Sequence, residues 1–292
     1  MNQLQENEFE KFTRFDDAMP LAPGREKPDV INPDNPHWNS FTALAMWVFS
    51  LFLMGVIVYV SIIVYAFFGG ISMSEIGEMA RVNDVNLIVV NIAAMLPVHL
   101  ATILVTWLLV SRFGKQPFFE TMGWDFGSIK YSFYSYLLIY SGVAVALLVV
   151  GNLIALPFGK PENELERILQ SSRAALYITA FLATFTAPLV EEVIYRGIMF
   201  PAFQRSFGTI PAVGFVTFLF TLIHVPQYYP SVGVILVICV LSLTLTIIRA
   251  VTKNLLPSFV VHTVFNGIQA VLLVASPYIS SLEATESGFF HF

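Results

Sequence analysis

The sequence predicts an all-α, polytopic integral membrane protein, a bundle of about seven to eight transmembrane helices. Three observations carry that expectation. Only 12% of the 292 residues are charged while 56% are hydrophobic, whereas a water-soluble chain needs about a quarter of its residues charged to cover its surface. The apolar residues gather into runs of the ~20 that a helix needs to cross the hydrocarbon layer. Between these runs stand short clusters of charge, Gly and Pro, which suit interfacial loops.

The elements follow in order. Residues 1–40 hold Glu6, Glu8, Glu10, Asp16 and Asp17 and a Pro-rich stretch from Pro20 to Pro36. They lack the basic start and short apolar core of a signal peptide, and read as a polar N-terminal arm, a solvated tail rather than a docking element. The transmembrane domain covers 41–276, with crossings at 42–68, 86–110, 131–156, 174–203, 210–226, 231–248 and 254–275. Turn formers mixed with charge, as in Arg112-Phe-Gly-Lys-Gln-Pro117 and Pro157-Phe-Gly-Lys-Pro161, close the second and third runs. The aromatic groups Phe118-Phe119 with Trp124, and Tyr228-Tyr229, read as interface belts. Residues 277–292 read as a short C-terminal tail.

Alternate loops divide the basic residues unevenly. One side holds Lys11, Arg14, Arg25, Lys27, Arg112, Lys115, Lys130, Arg205, Arg249 and Lys253; the other holds Arg81, Lys160, Arg167 and Arg173. The positive-inside rule then places the N-terminus in the cytoplasm. A net charge of −5 argues against nucleic acid as a partner, because phosphate binding needs clustered Lys and Arg. With one cysteine, Cys239, no disulfide framework exists.

Polar groups inside apolar helices are costly, and the default reading is a pathway or an active site. The fourth run contains Ala187-Pro-Leu-Val-Glu-Glu-Val-Ile-Tyr-Arg-Gly197, the fifth Phe220-Thr-Leu-Ile-His224, and the seventh His262-Thr-Val-Phe-Asn266. Glu192 and Arg196 are four apart with the acid first, the favourable order for an ion pair on one helix face. Glu191 points about 100° away and lacks that partner. Pro188 has no amide hydrogen and should disturb the helix beside it. Counted from their cytoplasmic turns, Glu191 and His224 lie at matching depth, and His262 and Asn266 share one face of the last helix at similar depth. A carboxylate and an imidazole can hold and deprotonate water, while a second imidazole and a carboxamide can donate to an oxyanion. That set suits amide hydrolysis by water, since no Ser or Cys motif accompanies the histidines. His99, after Pro97, reads as a satisfied interhelical histidine.

The order Glu-Glu-x-x-x-Arg, Phe-x-x-x-His, His-x-x-x-Asn, each within an apolar helix, resembles the CPBP/Abi family of CAAX prenyl endopeptidases and bacteriocin-processing-like intramembrane proteases. The resemblance covers roughly 170–275, and the string APLVEEVIYRG is similar to bacterial members, which implies a bacterial plasma membrane. It implies an intramembrane endopeptidase in which Glu191 and His224 activate water and His262 and Asn266 form the oxyanion hole. Glu192 and Arg196 match the remaining motif positions and act as a structural, supporting pair. Tyr195 stands where Phe is common. The family was first taken for metalloproteases and later for metal-independent glutamate proteases. No cofactor is expected here; zinc, if bound, would be held by Glu191, His224 and His262. Expected partners are membrane lipids and a peptide or protein substrate, membrane-associated or C-terminally lipidated. Two other classes compete: a non-enzymatic membrane immunity or scaffold protein of the same fold, and a transporter with a proton relay, against which the lack of an evident inverted repeat counts.

Overall fold

In hydrocarbon every backbone N–H and C=O must find a partner within the chain, which leaves helices or closed barrels. The computed structural model describes residues 31–127, 133–159 and 161–289, and among them every regular element is helical. Seven helices are long and apolar enough to cross a membrane: Ser40–Gly69, Val85–Val110, Phe133–Phe158, Arg173–Phe207, Thr209–Tyr228, Val232–Thr252 and Leu255–Ser276. They are called spans 1 to 7 below. Each falls on one of the seven apolar runs. The sixth outlasts its run because the helix carries Arg249 inside the protein, buried, and ends only at Lys253, whose φ of 54° is left-handed. The helix begun at Leu255 runs on to Phe289, past the apolar stretch.

Local chemistry marks the ends. Asn39 caps span 1 by accepting from the Thr42 amide, and Gly70, at φ 63°, closes it. Two short helices between spans, Met73–Arg81 and Glu164–Ser171, each start with a capping box, Ser72 with Glu75 and Asn163 with Glu166. Large apolar side chains such as Phe52, Phe67 and Phe68 point outward. In water such a surface would drive association; facing acyl chains it is the expected exterior.

Span 4 is the axis of the bundle. From Glu192 to Phe203 it is buried without interruption, packed in one core with Met46 of span 1, Val110 of span 2, Phe220 of span 5 and Leu255 of span 7. Spans 3, 6 and 7 share a second core of Ala144, Leu241, Leu245, Val261 and Phe265. Close approach relies on small residues, as membrane helices do. A Cβ at Gly233 would stand 3.0 Å from the Ala155 Cα, and one at Gly197 would collide with the end of the Met122 side chain. Gly197→Ala is therefore expected to cost about 1–3 kcal/mol through overpacking, read as a lower melting temperature in detergent. An unchanged melt would show that Met122 moves aside freely.

The last part of the N-terminal arm is docked, contrary to the solvated-tail reading. The Trp38 indole donates to the Ile198 carbonyl at 3.0 Å, the His37 Nε2–H to the Leu109 carbonyl at 3.2 Å, and Arg205 donates to the Trp38 carbonyl at 3.0 Å. Asp34 meets Arg249 at 3.0 Å. The physical reason is Arg249 itself: counted as a loop charge in the sequence, it is buried, and Asp34 supplies the counter-charge. Arm residues 1–30 and Lys130 lie outside the described residues. Trp124 is also no belt residue; it is buried with its ring centroid 5.2 Å from that of Phe259.

Candidate active site

Proline removes a helix donor, and its ring crowds the carbonyl four residues back. Span 4 absorbs both of its internal prolines by widening. A π segment, Leu182–Thr186, precedes Pro188, and a second, Glu192–Met199, precedes Pro201. In each, the residue before the proline bonds five residues back: the Ala187 amide donates to the Leu182 carbonyl, and the Phe200 amide to the Tyr195 carbonyl. π turns of this kind are rare and gather at functional sites. Glu191 and Glu192 sit at the junction between the α-helical turn Ala187–Glu191 and the second π segment.

Glu192 and Arg196 form the expected ion pair at 3.0 Å, both side chains 0% exposed. The guanidinium is held further by span 6: Nη2 donates to the Ser242 hydroxyl at 2.8 Å and carbonyl at 3.0 Å, and Nε to the Thr246 hydroxyl at 3.2 Å. Phe220 lies 4.7 Å from the guanidinium carbon. Ser242 and Thr246 escaped the sequence reading, although two hydroxyls four apart on an apolar helix were a signal for a buried donor to meet.

Glu191 turns the other way, as its spacing requires, toward His224 of span 5 and His262 of span 7. One carboxylate oxygen is 3.9 Å from Nε2 of His224 and the other 3.5 Å from Nε2 of His262. Burial is graded: Glu191 is 22% exposed, His224 15% and His262 2%.

The second nitrogen of each ring defines its tautomer. His224 Nδ1 is 2.6 Å from the Phe220 carbonyl, which can only accept, so Nδ1 carries the hydrogen and Nε2 of the neutral ring offers a lone pair toward Glu191. His262 Nδ1 is 2.9 Å from a Glu192 oxygen, and the same reasoning puts its hydrogen there. Glu192 thus does more than neutralise Arg196: it ties the ion pair to the ring facing Glu191, as second partners do for functional histidines. Phe220 and Tyr228 sandwich His224, with centroids 4.6 and 6.5 Å away and planes 27° from its own. Tyr228 therefore belongs to the site, while exposed Tyr229 alone suits an interface belt.

Asn266 stands one turn beyond His262 on span 7, and its amide donates to the Ala183 carbonyl of the first π segment at 2.9 Å. A carboxamide nitrogen has two hydrogens, so one remains for another acceptor. His99, on span 2, bonds through Nδ1 to the Thr186 hydroxyl at 2.8 Å. Glu191, His224 and His262 are thus brought together, Asn266 reaches span 4 two turns before Glu191, and Glu192 and Arg196 brace the ring of His262.

Glu191 and His224 present two acceptors too far apart to bond directly and suited to a water donating to each. Such a water keeps its lone pairs for attack on a carbonyl. As for zinc, no three side chains of His, Cys, Asp and Glu among the described residues are grouped as metal ligands; the Nδ1 atoms of His262 and His224 bond Glu192 and a carbonyl, which leaves both Nε2 atoms facing Glu191.

No curated protein and no solved structure matches the chain. Residues 173–268 match the family model described as type II CAAX prenyl endopeptidase Rce1-like, and that stretch includes Glu191, His224, His262 and Asn266. With seven spans and this stretch, the protein is an integral membrane protein. Over residues 173–268 the chain is thus similar to the Rce1-like type II CAAX prenyl endopeptidases, a likeness that supports a CAAX-type intramembrane protease.

Proposed function

We propose that the protein is an intramembrane endopeptidase that cleaves a membrane-associated or C-terminally lipidated peptide with a water activated by Glu191 and His224, without a metal. The observation that carries this reading is the carboxylate of Glu191 set between two ring nitrogens at 3.9 and 3.5 Å inside the helix bundle. Water donates to Glu191 and to Nε2 of His224. As its oxygen attacks the scissile carbonyl carbon, one proton passes to the carboxylate. The developing oxyanion accepts from the free amide hydrogen of Asn266 and from Nε2 of His262 when that ring carries both protons. Collapse breaks the C–N bond, and Glu191 returns the proton to the leaving nitrogen. The products are a carboxylic acid and an amine, which leave as carboxylate and ammonium once the acid proton passes to the amine, with no change at the enzyme. Enclosure by helices shelters these steps from bulk water. In this reading the N-terminus is cytoplasmic, the loops richer in Lys and Arg lying on that side.

The test is cleavage of a membrane-anchored reporter peptide by protein reconstituted in liposomes. His224→Ala is expected to lose ~10²-fold or more in kcat while melting like the parent, and chelators should leave parent turnover unchanged. Stoichiometric zinc whose removal stops turnover would overturn the metal-free mechanism. Full turnover by His224→Ala would overturn the histidine's role.

A further inference from the structure

The first π segment of span 4 ends one donor short. Its register has each amide bonding five residues back, as Ala187 does to Leu182; the next amide in that register would reach Ala183, but residue 188 is proline and has no N–H. A carbonyl abandoned inside a membrane protein costs free energy unless another donor is found. The Ala183 carbonyl finds one on span 7, the Asn266 carboxamide at 2.9 Å. Span 7 passes close here: a Cβ on Gly267, next to Asn266, would be in contact with a Thr184 methyl at 3.4 Å. On its other side the same segment is held by His99, bonded to Thr186 at 2.8 Å.

We propose that Pro188 is a positioning residue: by leaving the Ala183 carbonyl without its backbone donor, it creates the acceptor that fixes the Asn266 carboxamide, and so aims the remaining amide hydrogen. The catalytic half of this inference rests on Asn266 donating to the oxyanion, as proposed above. The pairing itself rests on geometry alone. It accounts for a proline buried one turn before Glu191 in a helix where alanine would extend the backbone ladder. It also separates two roles in one side chain, since one amide hydrogen is spent on the fold and the other is left to work.

Pro188→Ala supplies the missing N–H at the cost of a ring, and Pro188→Leu does the same with an apolar side chain of larger volume. Two measurements on reconstituted protein read the outcome. In melting, Asn266→Ala should lower the transition clearly in the parent, where it strands the Ala183 carbonyl, and little in the Pro188→Ala background, where the backbone satisfies it. In kinetics, Pro188→Ala alone should fold and melt at or above the parent temperature while losing about tenfold to a hundredfold in kcat with KM unchanged. Equal melting losses from Asn266→Ala in both backgrounds would overturn the pairing. Full turnover by both Pro188→Ala and Pro188→Leu would overturn the positioning role yet leave the Glu191 and His224 chemistry standing; failure of that chemistry shows separately, as cleavage by His224→Ala.

Discussion

Glu191→Gln is expected to abolish peptide cleavage while the protein inserts, folds and melts like the parent. Glutamine keeps the length and planar head of glutamate, so packing against spans 5 and 7 changes little. It cannot accept a proton at neutral pH, and its amide hydrogens would face Nε2 of His224, itself an acceptor. The nucleophilic water loses both its base and one of its two acceptors. Removing a positioned general base costs about 10²–10⁴-fold. The loss should appear in kcat, and a labelled substrate peptide should still bind. Turnover at the parent rate would remove the base assignment and favour a non-enzymatic membrane role for the chain. The same variant offers a route to the substrate: N- and C-terminal peptide mapping of membranes from cells with the native protein and with Glu191→Gln should reveal a terminus that depends on Glu191.

Arg196→Ala acts on the fold first. The guanidinium joins Glu192 to Ser242 and Thr246, and neither member of the ion pair is exposed at all. Removing the cation strands the carboxylate in the core, which costs about 3–5 kcal/mol for a buried pair broken on one side. A membrane domain of ordinary stability would then be recovered in low yield and melt early. The double variant Glu192→Gln with Arg196→Met separates charge burial from catalysis. It leaves no unpaired charge and should recover much of the yield. It should still turn over slowly, because Nδ1 of His262 no longer faces the carboxylate that fixes its tautomer. A double variant as active as the parent would show that Glu192 only balances Arg196. Normal yield from Arg196→Ala would show that the core tolerates the lone carboxylate.

The seven crossings were legible in the sequence because transfer from water to hydrocarbon is a sum over local residues, which no distant contact can reverse. For the same reason Glu191, Glu192, Arg196, His224, His262 and Asn266 stood out: ionisable and amide groups in apolar runs have no local reason to be there. Even the meeting of Glu191 with His224 was accessible, since rise per residue sets depth in a helix pair. Depth does not say which face meets which. The link from Glu192 to His262, the hold of Ser242 and Thr246 on Arg196, the stacking of Tyr228 on His224 and the docking of Asp34 on Arg249 all join residues far apart along the chain. Each depends on how helices are rotated about their axes.

The two π segments mark the division most clearly. Pro188 announced a disturbed helix, but helices meet a proline with a kink, a break or a wider turn, and the choice belongs to the neighbours that can satisfy the freed carbonyl. Composition and spacing were enough for a helical membrane bundle with a carboxylate and two histidines at one depth. That the backbone widens on both sides of that carboxylate, and that span 7 answers the carbonyl so released, came only with packing, because a hydrogen bond between helices exists only once their faces have met.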